Sequence, residues 1–95
     1  MYSEVRDMLH QAKSEREVQD VLRNLCREHG QVLRADVLWG SDVPRHVMCM
    51  VEMSDFEAAH ALARDCGAMV YGMTQVVFRY EAPPDFDYST PSHVV

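Results

Sequence analysis

The chain predicts an α+β domain, an antiparallel sheet covered on one face by helices. Three observations lead there. Apolar residues recur at helical spacing near the start and again after residue 55, while three other segments alternate with the two-residue period of a strand. Glycine, proline and Asp/Ser clusters fall between these segments rather than inside them. The 95 residues, 47% of them hydrophobic, suffice for a single core with a thin stability margin.

In residues 3–12, Val5, Met8, Leu9 and Ala12 mark one face of an N-terminal helix. A second helix has a clearer start, because Ser14 followed by Glu17 forms a capping box. Val18, Val21, Leu22, Leu25 and Cys26 then make its apolar stripe, and Gly30 stops it. Residues 31–39 alternate as a strand, with Leu33, Ala35, Val37 and Trp39 sharing a face, before Gly40-Ser41-Asp42-Val43-Pro44 reads as a loop. Residues 45–53 form the next strand. Ser54 or Asp55 caps a helix through Arg64 whose buried side is Phe56, Ala59, Leu62 and Ala63. Gly67 and Gly72 bracket a connection into a last strand, Gln75–Tyr80, rich in β-branched and aromatic residues. From residue 81 to 95 the Pro, Asp, Ser and Thr content predicts a flexible tail, leaving residues 1–80 as the domain and 1–13 as its N-terminal helical segment.

Charge and cysteine usage narrow the function. Nine Lys/Arg stand against fifteen Asp/Glu, a net charge of −6, which argues against a strong binder of nucleic-acid phosphates. Glu81, Asp85 and Asp87 account for three of those acids, so residues 1–80 carry nine basic and twelve acidic groups, and local basic patches remain open. Cys26, Cys49 and Cys66 are odd in number and widely spaced, as expected of reduced thiols in an intracellular protein, cytoplasmic or nuclear. No run approaches the roughly 18 apolar residues of a membrane span. The N-terminus, with Glu4 and Asp7, lacks the order of a signal peptide.

The order helix, strand, strand, helix, strand is the αββαβ remainder of a βαββαβ ferredoxin-like unit. Several segments also resemble an RNA-recognition motif (RRM), over roughly residues 18–80. Leu25-Cys26-Arg27-Glu28-His29-Gly30-Gln31-Val32 resembles the end of that family's first helix and the entry to its second strand. Residues 46–53 (HVMCMVEM) resemble its octapeptide, with Cys49 at the small position and Val51 at the aliphatic one. Ser54 through Leu62, then Cys66-Gly67 and Gly72, is similar to its second helix and the turn into its last strand. The resemblance implies a sheet face that binds RNA by stacking aromatics on bases. Here His46, Met48 and Met50 stand where those rings would, and methionine has no flat ring to stack. The family's first strand, with its second aromatic motif, should fall near residues 5–11, where the spacing is helical and no aromatic occurs. Because that strand lies in the middle of a ferredoxin-like sheet, either Val5–His10 is a strand despite its helical pattern, or the sheet is re-paired, as a three-stranded sheet or by exchange in a homodimer.

A subclass of RRM-like domains binds tryptophan-containing peptides of splicing factors. Glu15, Glu17, Asp20 and Cys26 resemble it, but Ala68-Met69-Val70 stands where its Arg-x-Phe belongs.

Several sets of side chains carry candidate chemistry. His46, Met48 and Met50, with Leu38 and Val77 beside them, would form an apolar patch able to dock a protein partner, unless the N-terminal helix or the tail covers it. Arg34, Arg45 and Arg79 could touch an RNA backbone weakly, although Asp36 and Glu52 lie nearby and a solvated mixed-charge surface reads as well. His46, Met48, Cys49 and Met50 have the softness of copper(I) ligands, but alternation turns Cys49 to the other face. Cys49, Cys66, His29 and His60 follow no catalytic spacing, and no cofactor, metal or enzymatic activity is expected. Tyr88 and Thr90-Pro91 offer modification or linear-motif signals. The leading expectation is a non-catalytic RRM-like adaptor in RNA metabolism that works through protein contacts. A weak single-stranded RNA binder and a small ferredoxin-like enzyme or ligand-binding dimer are the alternatives.

Overall fold

The computed structural model describes residues 4–88, apart from the side chains of Glu4 and Leu25. The expectations placed on Leu25's side chain and on Thr90-Pro91 therefore lie outside the described residues. The elements are α1 (Glu4–Gln11), α2 (Glu15–Cys26) with a 3-10 turn over Arg27–His29, β1 (Val32–Trp39), β2 (His46–Met53), α3 (Phe56–Cys66), β3 (Met69–Tyr71) and β4 (Gln75–Glu81). The protein is α+β, with one four-stranded antiparallel sheet in the order β1-β2-β4-β3.

Local chemistry accounts for the helix ends. The backbone N–H of Glu17 donates to Ser14 Oγ at 3.2 Å, and that hydroxyl also meets the Glu17 carboxylate, so two groups at the start of α2 are satisfied together. Asp55, in an extended conformation, accepts from Ala58 N–H at 2.8 Å and caps α3. At the other end of α3, Gly67 takes the left-handed conformation at φ 65° and closes on the Ala63 carbonyl. Arg6 of α1 then reaches across the fold and donates to the carbonyls of Cys66 and Gly67. The first helix thus satisfies acceptors left open by the third.

The N-terminal segment is a helix, and the sheet closes without it. β4 pairs directly with β2, from His46 opposite Glu81 to Glu52 opposite Gln75, so no central strand is missing and none is needed from a second chain. The sheet has four strands rather than three. The residues between Gly67 and Gly72, read from sequence as a plain connection, form β3 along β4, with Met69 opposite Val77 and Tyr71 opposite Gln75.

The core lies between the helices and one sheet face. From the sheet it takes Ala35, Val37, Trp39, Val47, Cys49, Val51, Met53, Val76, Phe78 and Tyr80; from the helices it takes Val5, Leu9, Val18, Leu22, Cys26, Ala59 and Leu62. α1 sits on this same face, since Arg6 lies over the Phe78 ring and His10 stacks on Tyr80 at 5.2 Å. Gly30 marks where layers meet closely. A Cβ there would stand 2.5 Å from Ala58 Cβ, and its φ of 149° disfavours other residues.

Three expectations need correction. Leu33 does not share the buried face with Ala35 and Val37, because the β1–β2 register slips between Val32 and Arg34 and turns Leu33 outward, 55% exposed. Phe56 is half exposed beside His60, at 4.0 Å, and Ala58 takes the buried place in the first turn of α3. The chain from Glu81 to Tyr88 is no loose tail. Glu81 ends β4, and Phe86 is buried against Trp39 and Tyr88. Asp87 N–H donates to the Lys13 carbonyl at 2.6 Å, and Lys13 Nζ meets Asp85 at 2.9 Å, which holds the Asp85 carboxyl below its ordinary range. This strap ties the α1–α2 link to the Trp39 corner of the sheet.

Candidate functional site: the open face of the sheet

The strand registers fix which side chains share the face away from the helices. One row across the sheet is Asp36, Met50, Val77 and Met69, the next is Leu38, Met48 and Arg79, and beyond it stand His46 and Glu81. On the other side lies a row of Arg34, Glu52, Gln75 and Tyr71. Strand pleating makes this grid unavoidable once the inward set is apolar, because a one-residue slip would bring Met48 into the core and Cys49 out of it.

Five of these positions form a contiguous apolar patch. Leu38 pairs with Met48, and Met50 pairs with Val77, which pairs in turn with Met69. Met48 is 38% exposed and Met69 71%, while Leu38, Met50 and Val77 are half-buried among their neighbours. Nothing among the described residues seals this face. Leu38, Trp39, Gly40, His46, Met48 and Arg79 line a shallow depression of about 190 Å³ at its edge. Tyr71 and Met73 extend the exposed apolar surface around the β3–β4 turn. Sequence reasoning missed Met69, Tyr71 and Met73, although a run of Val and Tyr followed by Gly72 and then a strand is a hairpin signal. Three residues are too few to show alternation.

The structure brings together His46, Met48, Met50, Leu38 and Val77. It does not gather the three arginines. Arg34 lies in the outer row and is bound to Asp36 at 2.7 Å. Arg79 stands beside Met48, and Arg45 sits beyond the strand end with its guanidinium 4.3 Å from the centre of the Tyr88 ring. Asp36, Met50 and Glu52 separate Arg34 from Arg79.

The candidate catalytic groups are also apart. His29 pairs with Asp65 at 3.1 Å, and His60 lies against Phe56. Burial pushes the Cys49 thiol up to about 12, with only partial relief from the Tyr80 hydroxyl beside it. Cys26 is likewise pushed to about 12, by burial first and then by its neighbours Cys66 and Cys49. Such thiols hold their protons at neutral pH and are poor nucleophiles. Among the described residues no group of three or more His, Cys, Asp or Glu could hold a metal ion, and no helix is long and apolar enough to cross a membrane.

No known protein family, no curated protein and no solved structure matches the chain.

Proposed function

We propose that this protein is a non-catalytic adaptor, related to RRM-like domains and acting in RNA metabolism mainly by docking another protein on its open sheet face. One observation carries the reading. The patch of Leu38, Met48, Met50, Val77 and Met69 is contiguous, uncovered by any described segment, and framed by charged side chains. Apolar clusters rimmed by polar groups mark interaction sites, and flexible thioethers adapt to a partner's shape. The frame of Arg34, Asp36, Glu52, Arg79 and Glu81 would then set orientation rather than affinity. A ferredoxin-like ancestry accords with the αββα order and with β4 lying between β2 and β3, antiparallel to both, in the central place that the first strand of that unit would take.

The experiment is crosslinking in cells with photoreactive methionine, followed by repeat capture with Met48→Asp and Met50→Asp. The reading requires that one protein be recovered by the wild type, resist moderate salt and be lost with either aspartate. Equal recovery of that protein by both variants would refute it.

A second reading, weak single-stranded RNA binding on the same face, draws on Tyr71. It is the one phenol ring among the described residues of this face, and stacking on a base needs such a ring. Amide shifts confined to residues 34–38, 46–52 and 69–79 on titration with RNA at low salt would favour it over protein docking.

A further inference from the structure

Where α2 runs into its 3-10 turn beside the edge strand β1, a second surface has a different character. Arg23, Arg27, Gln31, Val32, Leu33 and Arg34 line an open cleft of about 400 Å³. That volume is in the range of small-ligand sites. Arg23 lies in the last turn of α2 and Arg27 one turn later, so their side chains emerge on the same side, roughly 6 Å apart along the axis. Both are exposed, and neither has a hydrogen-bonded or ion-paired partner among the described residues. Arg34 enters from the strand, its guanidinium steadied by Asp36. Leu33 stands among them, turned outward by the slip in the β1–β2 register.

Three cations from two elements around an exposed aliphatic side chain call for a ligand that is both anionic and partly apolar. On a chain of net charge −6, two unpartnered arginines within one helical turn are a local exception to the overall field. Placement near a helix C-terminus stabilises a cation slightly, but it does not require the outward leucine or the third arginine. The cleft is open and follows the strand edge, which suits a strand passing through it better than an enclosed small anion. Guanidinium forks match phosphate oxygens in pairs.

The geometry points to a binding site for a single-stranded phosphodiester backbone, with Arg23, Arg27 and Arg34 on phosphates and Leu33 against a sugar or base. This site lies at the β1 edge and shares only Arg34 with the frame of the open sheet face, and it does not rest on the docking assigned there. Its neighbouring acids are Asp20 and Glu28 on the helical side and Asp36 and Glu52 on the strand side, so binding is weak and favoured by low salt.

The test is fluorescence anisotropy of a labelled mixed-sequence 12-nucleotide RNA, and of the same sequence as DNA, at 50 and 200 mM salt. If each of the three arginines neutralises one phosphate, affinity falls roughly twentyfold between the two salts. Arg23→Ala/Arg27→Ala, at exposed positions and checked for unchanged circular dichroism, should lose most of the binding and leave a salt effect of about threefold. Met48→Asp should bind as the wild type does. Equal affinity for RNA and DNA would assign recognition to the phosphodiester itself, and preference for RNA would add a 2′-hydroxyl contact to it. Absence of binding at 50 mM salt, or binding unchanged by the double substitution, would overturn the proposal. So would displacement of the RNA by polyglutamate at equal charge concentration, which would assign the cleft to an acidic protein segment. Amide shifts on residues 46–52 and 75–79 in place of 23–34 would overturn it as well, in favour of RNA on the sheet face.

Discussion

Replacing Phe86 with alanine separates two descriptions of the C-terminal segment. If residues beyond 80 were a loose tail, the substitution would be silent. In the structure Phe86 is only 6% exposed and packs with Trp39 and Tyr88, at ring separations of 6.3 and 4.8 Å. Truncating a core Phe costs about 3–5 kcal/mol, from lost transfer energy and the cavity left behind. Phe86 packs on the rings of Trp39 and Tyr88, which can shift into part of the space left, so about 2–3 kcal/mol is expected. For a domain of this size each kcal/mol shifts Tm by roughly 4–8 °C, which places the variant on the order of 10–20 °C below wild type. Trp39 is the only tryptophan, so its emission reports on this corner while circular dichroism reports on the whole fold. Urea unfolding followed by both signals gives the free energy and tests whether the strap opens separately. A loss under about 0.5 kcal/mol with unchanged Trp39 emission would refute the claim that residues 82–88 belong to the fold.

Three further outcomes follow from the same packing. Gly30→Ala should destabilise by about 1–3 kcal/mol in urea unfolding, because the new methyl meets Ala58 Cβ at 2.5 Å and the backbone is one that alanine disfavours; an unchanged midpoint would contradict that contact. Alkaline stability should fall as pH rises above about 9, since Cys26 and Cys49 stay protonated in the folded state until about 12 while the unfolded chain ionises near 9.0. The sign follows from raised folded-state values: this stability is fully present below the unfolded value and lost above it, so a flat stability profile from pH 8 to 11 would count against buried thiols. Met48→Asp should shift stability by no more than about 1 kcal/mol, measured by thermal unfolding, because its side chain points to the open face; a loss of several kcal/mol would mean that something covers it.

Local signals in the chain were sufficient for the three α-helices, for three of the four strands and for the facing of β2. The Ser14–Glu17 box, the Asp55 cap and the alternation through residues 46–53 each act over a few neighbours, and the structure keeps all three. The outward placement of His46, Met48 and Met50 follows from that alternation alone, because strand pleating leaves no other choice. What depended on distant parts of the chain was not readable in this way. Direct pairing of β4 with β2 joins segments separated by a helix, and β3 is too short to announce itself before β4 is there to receive it. The strap from Glu81 to Tyr88 has the composition of a tail and becomes structure only when Trp39, Arg45 and the α1–α2 link come together to hold it. The arginine cleft belongs to the same class. Arg23 and Arg27 are ordinary exposed positions on a helix until packing sets them beside Arg34 and a slip in the β1–β2 register turns Leu33 out between them. Short-range propensities are written into the order of residues, whereas a surface made from separate elements exists only once burial of the core has fixed where each element lies.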